Sequence, residues 1–171
     1  MTTWYLAIRV LHVLCGALWV GTAVFGAFLL MPAVKDAGPD GGKVMVALNR
    51  RGFVAFIPII AILSVLSGLW LYWRYTGGFS PDISRTHAGM TFGIGGLLAI
   101  AAAIIAAAVV SPAMAKVTRF AAQAASTTDA EVRNAALASV QHFRQRGQTA
   151  ARFVAVLLIL TISLMSIALL L

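Results

Sequence analysis

Two histidines are the residues of this chain best suited to chemistry. His12 lies inside a long apolar stretch and His87 heads another. An imidazole at such a position is costly, and its neutral ring nitrogen is a ready metal ligand. On a helix, positions three, four and seven apart share a face. From His12 that face carries Cys15, Gly16 and Trp19, then Ala23 and Gly26. Gly16, one turn away, leaves room for a bulky ligand, and Trp19 would shape the pocket. The same residues also read as a helix-packing groove, with His12 hydrogen-bonded to a neighbouring helix. His87 follows Arg85. Met90, Thr91 and Ile94 share its face, and Gly93, Gly95 and Gly96 lie close by. That cluster admits either a flat ring or another helix, and an interfacial histidine standing alone reads equally well as solvated.

The levels of the two histidines bear on whether they act together. His12 precedes Pro32 by 20 residues and His87 precedes Pro112 by 25. If both prolines mark one level, His87 lies about 7 Å further out at the helical rise per residue. Helix tilt can absorb part of that offset. A haem between the helices could take both imidazoles as axial ligands, or only one. Arg9 and Arg85 lie close enough in sequence to pair with its propionates. His142, beside Phe143 and Arg144, reads as a surface residue.

Other chemistry has little footing. No acidic residue lies inside an apolar stretch, which argues against a carboxylate proton relay. The chain has no Gly-rich phosphate loop, zinc spacing or nucleophile elbow. Its six methionines are scattered, without the clustering of a copper(I) relay. Cys15 is the only cysteine, so an internal disulfide is excluded.

The elements that must position these residues are membrane spans. Of 171 residues, 61% are hydrophobic and 11% charged, against about 25% charged in a soluble domain. Apolar segments at about 4–31, 53–75, 86–112 and 151–171 each have the length of a transmembrane helix. The expected fold is all-α, an integral membrane four-helix bundle forming one domain. The first stretch reads as a retained span rather than a cleaved signal. The net charge of +8 is concentrated in loops, so it reads as a topology signal and not as a nucleic-acid footprint. Lys35, Lys43, Arg50 and Arg51 lie in the first loop, and Lys116, Arg119, Arg133, Arg144, Arg146 and Arg152 in the third. The positive-inside rule then places both loops in the cytoplasm of a bacterial-type inner (plasma) membrane, with both termini outside. Both histidines would belong to the outer half.

The chain also reads as a parallel duplication of a two-helix unit. Met31-Pro32-Ala33 matches Ser111-Pro112-Ala113, and Arg51-Gly52-Phe53-Val54-Ala55 matches Ala151-Arg152-Phe153-Val154-Ala155. The first loop, around Gly38-Pro39-Asp40-Gly41-Gly42, reads as a turn-rich connection. In the third, residues 113–150 read as a cytoplasmic helical hairpin extending the third and fourth helices. It would break at Ser126–Asp129, with Thr128 and Glu131 as a capping box. Pro58 is expected to kink the second span. Basic residues of the hairpin could touch anionic lipid heads.

The segment Leu11-His12-Val13-Leu14-Cys15-Gly16-Ala17-Leu18-Trp19-Val20-Gly21 resembles the first helix of the CopD-like membrane proteins, whose relatives include the HemJ-type protoporphyrinogen oxidases. The likeness covers about residues 8–75, with Pro32 and Arg50-Arg51 as further matches. It implies copper handling or b-type haem bound by helix histidines, with His12 and His87 as ligands. The chain lacks the Met-rich and His-rich segments of copper transport and the histidines for two bis-histidine haems. The leading expectation is a haem b protein acting in electron transfer or, if catalytic, as an oxidoreductase near the outer face. His12, His87, Gly16, Trp19, Arg9 and Arg85 would form its site. A copper or small-solute transporter is the first alternative. A non-catalytic partner subunit or scaffold, docking a redox partner or a second copy, is the other.

Overall fold

The computed structural model describes residues 3–171. Four long helices dominate it: α1 (Thr3–Asp36), α3 (Phe53–Tyr75), α5 (His87–Ser126) and α6 (Ala130–Ala168). Two short ones join them: α2 (Pro39–Arg50) after α1, and α4 (Pro81–Ser84) after α3. No strand occurs among the described residues. The four long helices are apolar and long enough to cross a membrane. They run up, down, up and down. The main packing pairs form a ring, α1 with α3, α3 with α5, α5 with α6, and α6 with α1. A small core closes its centre, with Cys15 and Trp19 from α1, Ile60 and Ala61 from α3, Ala102 from α5, and Val154 and Leu158 from α6. Leu14, Ile62, Leu66, Leu97 and Leu160 point outward and are exposed. An outer surface this apolar suits lipid, where helices satisfy their own backbone and need no polar coat.

Helices α5 and α6 have 40 and 39 residues. At about 1.5 Å per residue each is roughly 60 Å long, twice the thickness of a hydrocarbon core. Their excess forms the expected hairpin beyond the bundle. Small residues let it close: Ala113 and Ala124 of α5, and Ala136 and Gly147 of α6, are buried. Phe120 stacks on Phe143, the ring planes 3° apart, and the Lys116 ammonium lies 4.5 Å from the Phe143 centroid. The cap of α6 is Asp129, which accepts from the backbone N–H groups of Glu131 and Val132 at 2.8 and 3.3 Å. It replaces the expected Thr128. A carboxylate at a helix N-terminus satisfies free donors and meets the positive end of the helix dipole.

The first loop departs from expectation. Residues 39–50 form a helix rather than a turn-rich connection. Gly38, at φ +57°, supplies the left-handed turn that starts it. Asp40 in the first turn pairs with Lys43 at 2.6 Å. Gly41 lies directly against the Val34 carbonyl of α1, so this end of the first helix pair is also a small hairpin.

The duplication has a structural counterpart. A five-residue π turn interrupts α1 at Gly26–Leu30 and α5 at Ala106–Val110. Each precedes an X-Pro-Ala step, and the two lie 80 residues apart. Proline lacks an N–H and its ring would clash with the carbonyl four residues back. Widening one turn relieves both problems. The N–H groups of Met31 and Ser111 accordingly reach back five residues, to Gly26 and Ala106. Both helices therefore run through their prolines instead of ending there.

Candidate functional site at the α1–α3 interface

His12 points from α1 onto α3, one to two helical turns outward of the Trp19 core. Its Nδ1 lies 2.9 Å from the backbone carbonyl oxygen of Ser64 and 3.3 Å from Ser67 Oγ. A carbonyl can only accept, so Nδ1 must carry the proton. Ser67 donates its own hydroxyl to the Leu63 carbonyl at 2.5 Å, which leaves its oxygen free to accept from His12 as well. In the neutral ring Nε2 then keeps an open lone pair. No fully buried side-chain nitrogen or oxygen among the described residues lacks a partner, so Nε2, which makes no hydrogen bond, is not completely enclosed.

The ring fits because of Gly68. A Cβ there would stand 2.7 Å from His12 Cε1 and 3.2 Å from Nδ1. Any other residue at position 68 would push the imidazole off α3. Ser64, Ser67 and Gly68 were not singled out from sequence, although the spacing Ala61, Ser64, Ser67 and Gly68 marks a small, polar face within an apolar span. That face was the available signal.

The remaining candidates fall in different places. Trp19 is 3% exposed and belongs to the central core rather than to an open pocket. A Cβ on Gly16 would touch Ser64 Oγ at 3.4 Å, so α3 already takes the space beside His12. Arg9 and Arg85 are both exposed. The one ion pair among the described residues is Lys43–Asp40, so neither arginine has a carboxylate partner. His87 occupies the first turn of α5 and is exposed, behind the N-cap Thr86, whose Oγ1 accepts from Gly89 N–H at 3.1 Å.

Helix α3 serves both histidines, at different levels. Tyr72, four residues beyond Gly68, donates its hydroxyl to the Gly89 carbonyl of α5 at 3.2 Å and fills the space over Gly93. Along α5, His87 precedes this Gly89 contact by two residues, toward the helix N-terminus. No hydrogen bond described in the structure joins the two histidines. The glycine clusters expected to admit a flat ring are largely closed: Tyr72 sits over Gly93, and Met165 and Thr161 over Gly95. Only Gly96 has open space beside it.

The donor chemistry of His12 fits a haem iron. Its proton is fixed on Nδ1 by a carbonyl, and Nε2 is free, the arrangement that orients ligating histidines. The two imidazoles lie in different settings, His12 against α3 and His87 exposed in the first turn of α5. Among the described residues no group of three or more His, Cys, Asp or Glu side chains could hold a metal ion. His142 is exposed, on α6, edge-on to Phe143.

Comparison with known protein families, curated protein sequences and solved structures finds no match.

Proposed function

We propose that the chain is a membrane protein that binds b-type haem through Nε2 of His12 and serves in one-electron transfer or haem-dependent redox chemistry. The observation that carries this reading is the bond from His12 Nδ1 to the Ser64 carbonyl, which leaves the opposite nitrogen without a hydrogen bond. Arg9, three residues earlier on α1, and Arg85 are unpaired cations at the same end, suited to carboxylates of a ligand. Haem would supply the redox couple. The chain would supply the axial nitrogen and, through the Ser64 and Ser67 contacts, set its orientation and basicity. His87 remains the second candidate ligand. With loops one and three in the cytoplasm, as their lysines and arginines favour, the site lies in the outer half of the membrane.

The test is a reduced-minus-oxidised spectrum of protein expressed with added haem, with a pyridine haemochrome assay for stoichiometry. A sharp alpha band at about one haem per chain, lost in His12→Ala, supports the reading. Colourless protein refutes it.

A second reading is a partner subunit that docks other helices. It is favoured by Gly21, Gly26 and Gly96, where a Cβ would meet no neighbour within 4 Å. On that reading His12 is an interhelical strut, and His12→Ala lowers stability without changing any spectrum.

A further inference from the structure

The second region of interest lies at the opposite end of the bundle. A groove of about 610 Å³ opens between α5 and α6 where the bundle passes into the hairpin. Its α6 wall includes Gln145, Arg146, Thr149 and Phe153, spaced three and four apart and so on one face. Ile105 and Val109 of α5 form the other side. The groove has a chemical gradient. Beyond Arg152, α6 carries no charge as far as its C-terminal end. The 16 residues from Phe153 to Ala168, the end of α6, span about 24 Å of helix, most of one hydrocarbon core. Phe153 and Ile105 therefore lie at the hydrocarbon edge, and Arg146 about two turns outside it.

Arg146 has no carboxylate partner among the described residues. The nearest acidic residue before it on α6 is Glu131, 15 positions and about 22 Å along the axis, beyond the screening length at physiological salt. Its guanidinium is a planar fork of donors suited to phosphate. Gln145 and Thr149 add amide and hydroxyl donors on the same face. A soluble anion would use that polar end and leave Ile105, Val109 and Phe153 without a role. A phospholipid uses both ends.

We propose that this groove binds an anionic phospholipid, with the phosphate on Arg146 and an acyl chain along Ile105, Val109 and Phe153. Arg144, two positions away on α6, does not line the groove and carries the same charge on another face. It is the internal control for diffuse attraction.

The test uses the full chain in a neutral detergent, titrated with phosphatidylglycerol, phosphatidylcholine or glycerol phosphate while thermal unfolding is followed. Phosphatidylglycerol is expected to raise the melting temperature, and the other two to leave it unchanged. Arg146→Gln should weaken the phosphatidylglycerol response about fivefold, the effect of one basic residue at a lipid surface. Arg144→Gln should change it by less than about twofold. Both positions are exposed, so neither substitution threatens folding. Equal losses in the two variants would replace the site with general electrostatics and overturn the proposal. So would an equal response to phosphatidylcholine, or a full response to glycerol phosphate, which would leave an anion site without the lipid.

Discussion

Gly68→Ala tests the structure at the contact on which the His12 site depends. The new Cβ would stand 2.7 Å from Cε1 of the imidazole. Carbon atoms settle at about 3.5 Å or more, so the ring must retreat by roughly 0.8 Å. The Nδ1–Ser64 bond, now 2.9 Å, would stretch past useful hydrogen-bond length. Losing it costs about 1–3 kcal/mol, and overpacking adds about 1–3 kcal/mol if the helices do not part. Alanine returns about 0.5–1 kcal/mol through its better helix propensity. The net expectation is a destabilisation of about 1–5 kcal/mol. His12→Ala should change the sign of the effect. Without the imidazole, the alanine methyl at 68 enters vacated space and stabilises by up to about 1 kcal/mol. A double-mutant cycle, read by reversible unfolding in mixed micelles, should therefore give a coupling of at least about 1 kcal/mol. In the same samples Gly68→Ala should diminish any haem band that His12→Ala abolishes. If Gly68→Ala is neutral, or equally harmful with and without His12, the ring does not rest on α3 as described.

Two further outcomes follow from the hairpins. Asp129→Ala should cost about 1 kcal/mol through loss of the α6 cap, whereas Thr128→Ala should change stability by less than about 0.5 kcal/mol, both read by thermal unfolding; the reverse order would restore Thr128 as the cap. Gly41→Ala drives a Cβ into the backbone carbonyl of Val34, which cannot swing away. It should open the α1–α2 hairpin and expose residues 37–52 to limited proteolysis. At Gly147 a Cβ would meet the flexible end of Met114 at 2.6 Å and the fixed Cβ of Ala113 at 3.2 Å, so Gly147→Ala should cost about 1 kcal/mol and leave the proteolysis pattern unchanged.

Hydropathy made the bundle legible, because a lipid-facing helix needs an unbroken apolar run and little else. The hairpin of α5 and α6 was legible for a related reason: the small apolar face between Ala113 and Ala136 keeps helical period after the spans end. Helix α2 was not. Gly38-Pro39-Asp40-Gly41-Gly42 has turn composition, and intrinsic propensity argues against a helix there. Close packing of Gly41 on Val34 overrides it, and only the three-dimensional neighbour explains why a glycine belongs at that position. At the site, His12 was legible as a polar group in an apolar run and its hydrogen bond to another helix was one of the two readings. Its partners were less so. The Ser64 acceptor is a backbone atom, which every residue has, and Gly68 is defined by an absent side chain.

The internal repeat supplies a comparison within the chain itself. The π turns relate α1 to α5 by 80 residues, and the matching Phe53 and Phe153 starts relate α3 to α6 by 100. In that register His12 corresponds to Phe92, Ser64 to Leu164, Ser67 to Ile167 and Gly68 to Ala168. Phe92 packs edge-on to Tyr75 at 5.4 Å instead of meeting a carbonyl. Ala168 carries the Cβ that Gly68 must lack. The counterpart positions thus hold an apolar ring, two apolar side chains and a methyl where the first pair has the imidazole, the hydroxyls and the gap. On the proposed haem reading, the site would therefore occur once per chain, at the α1–α3 interface.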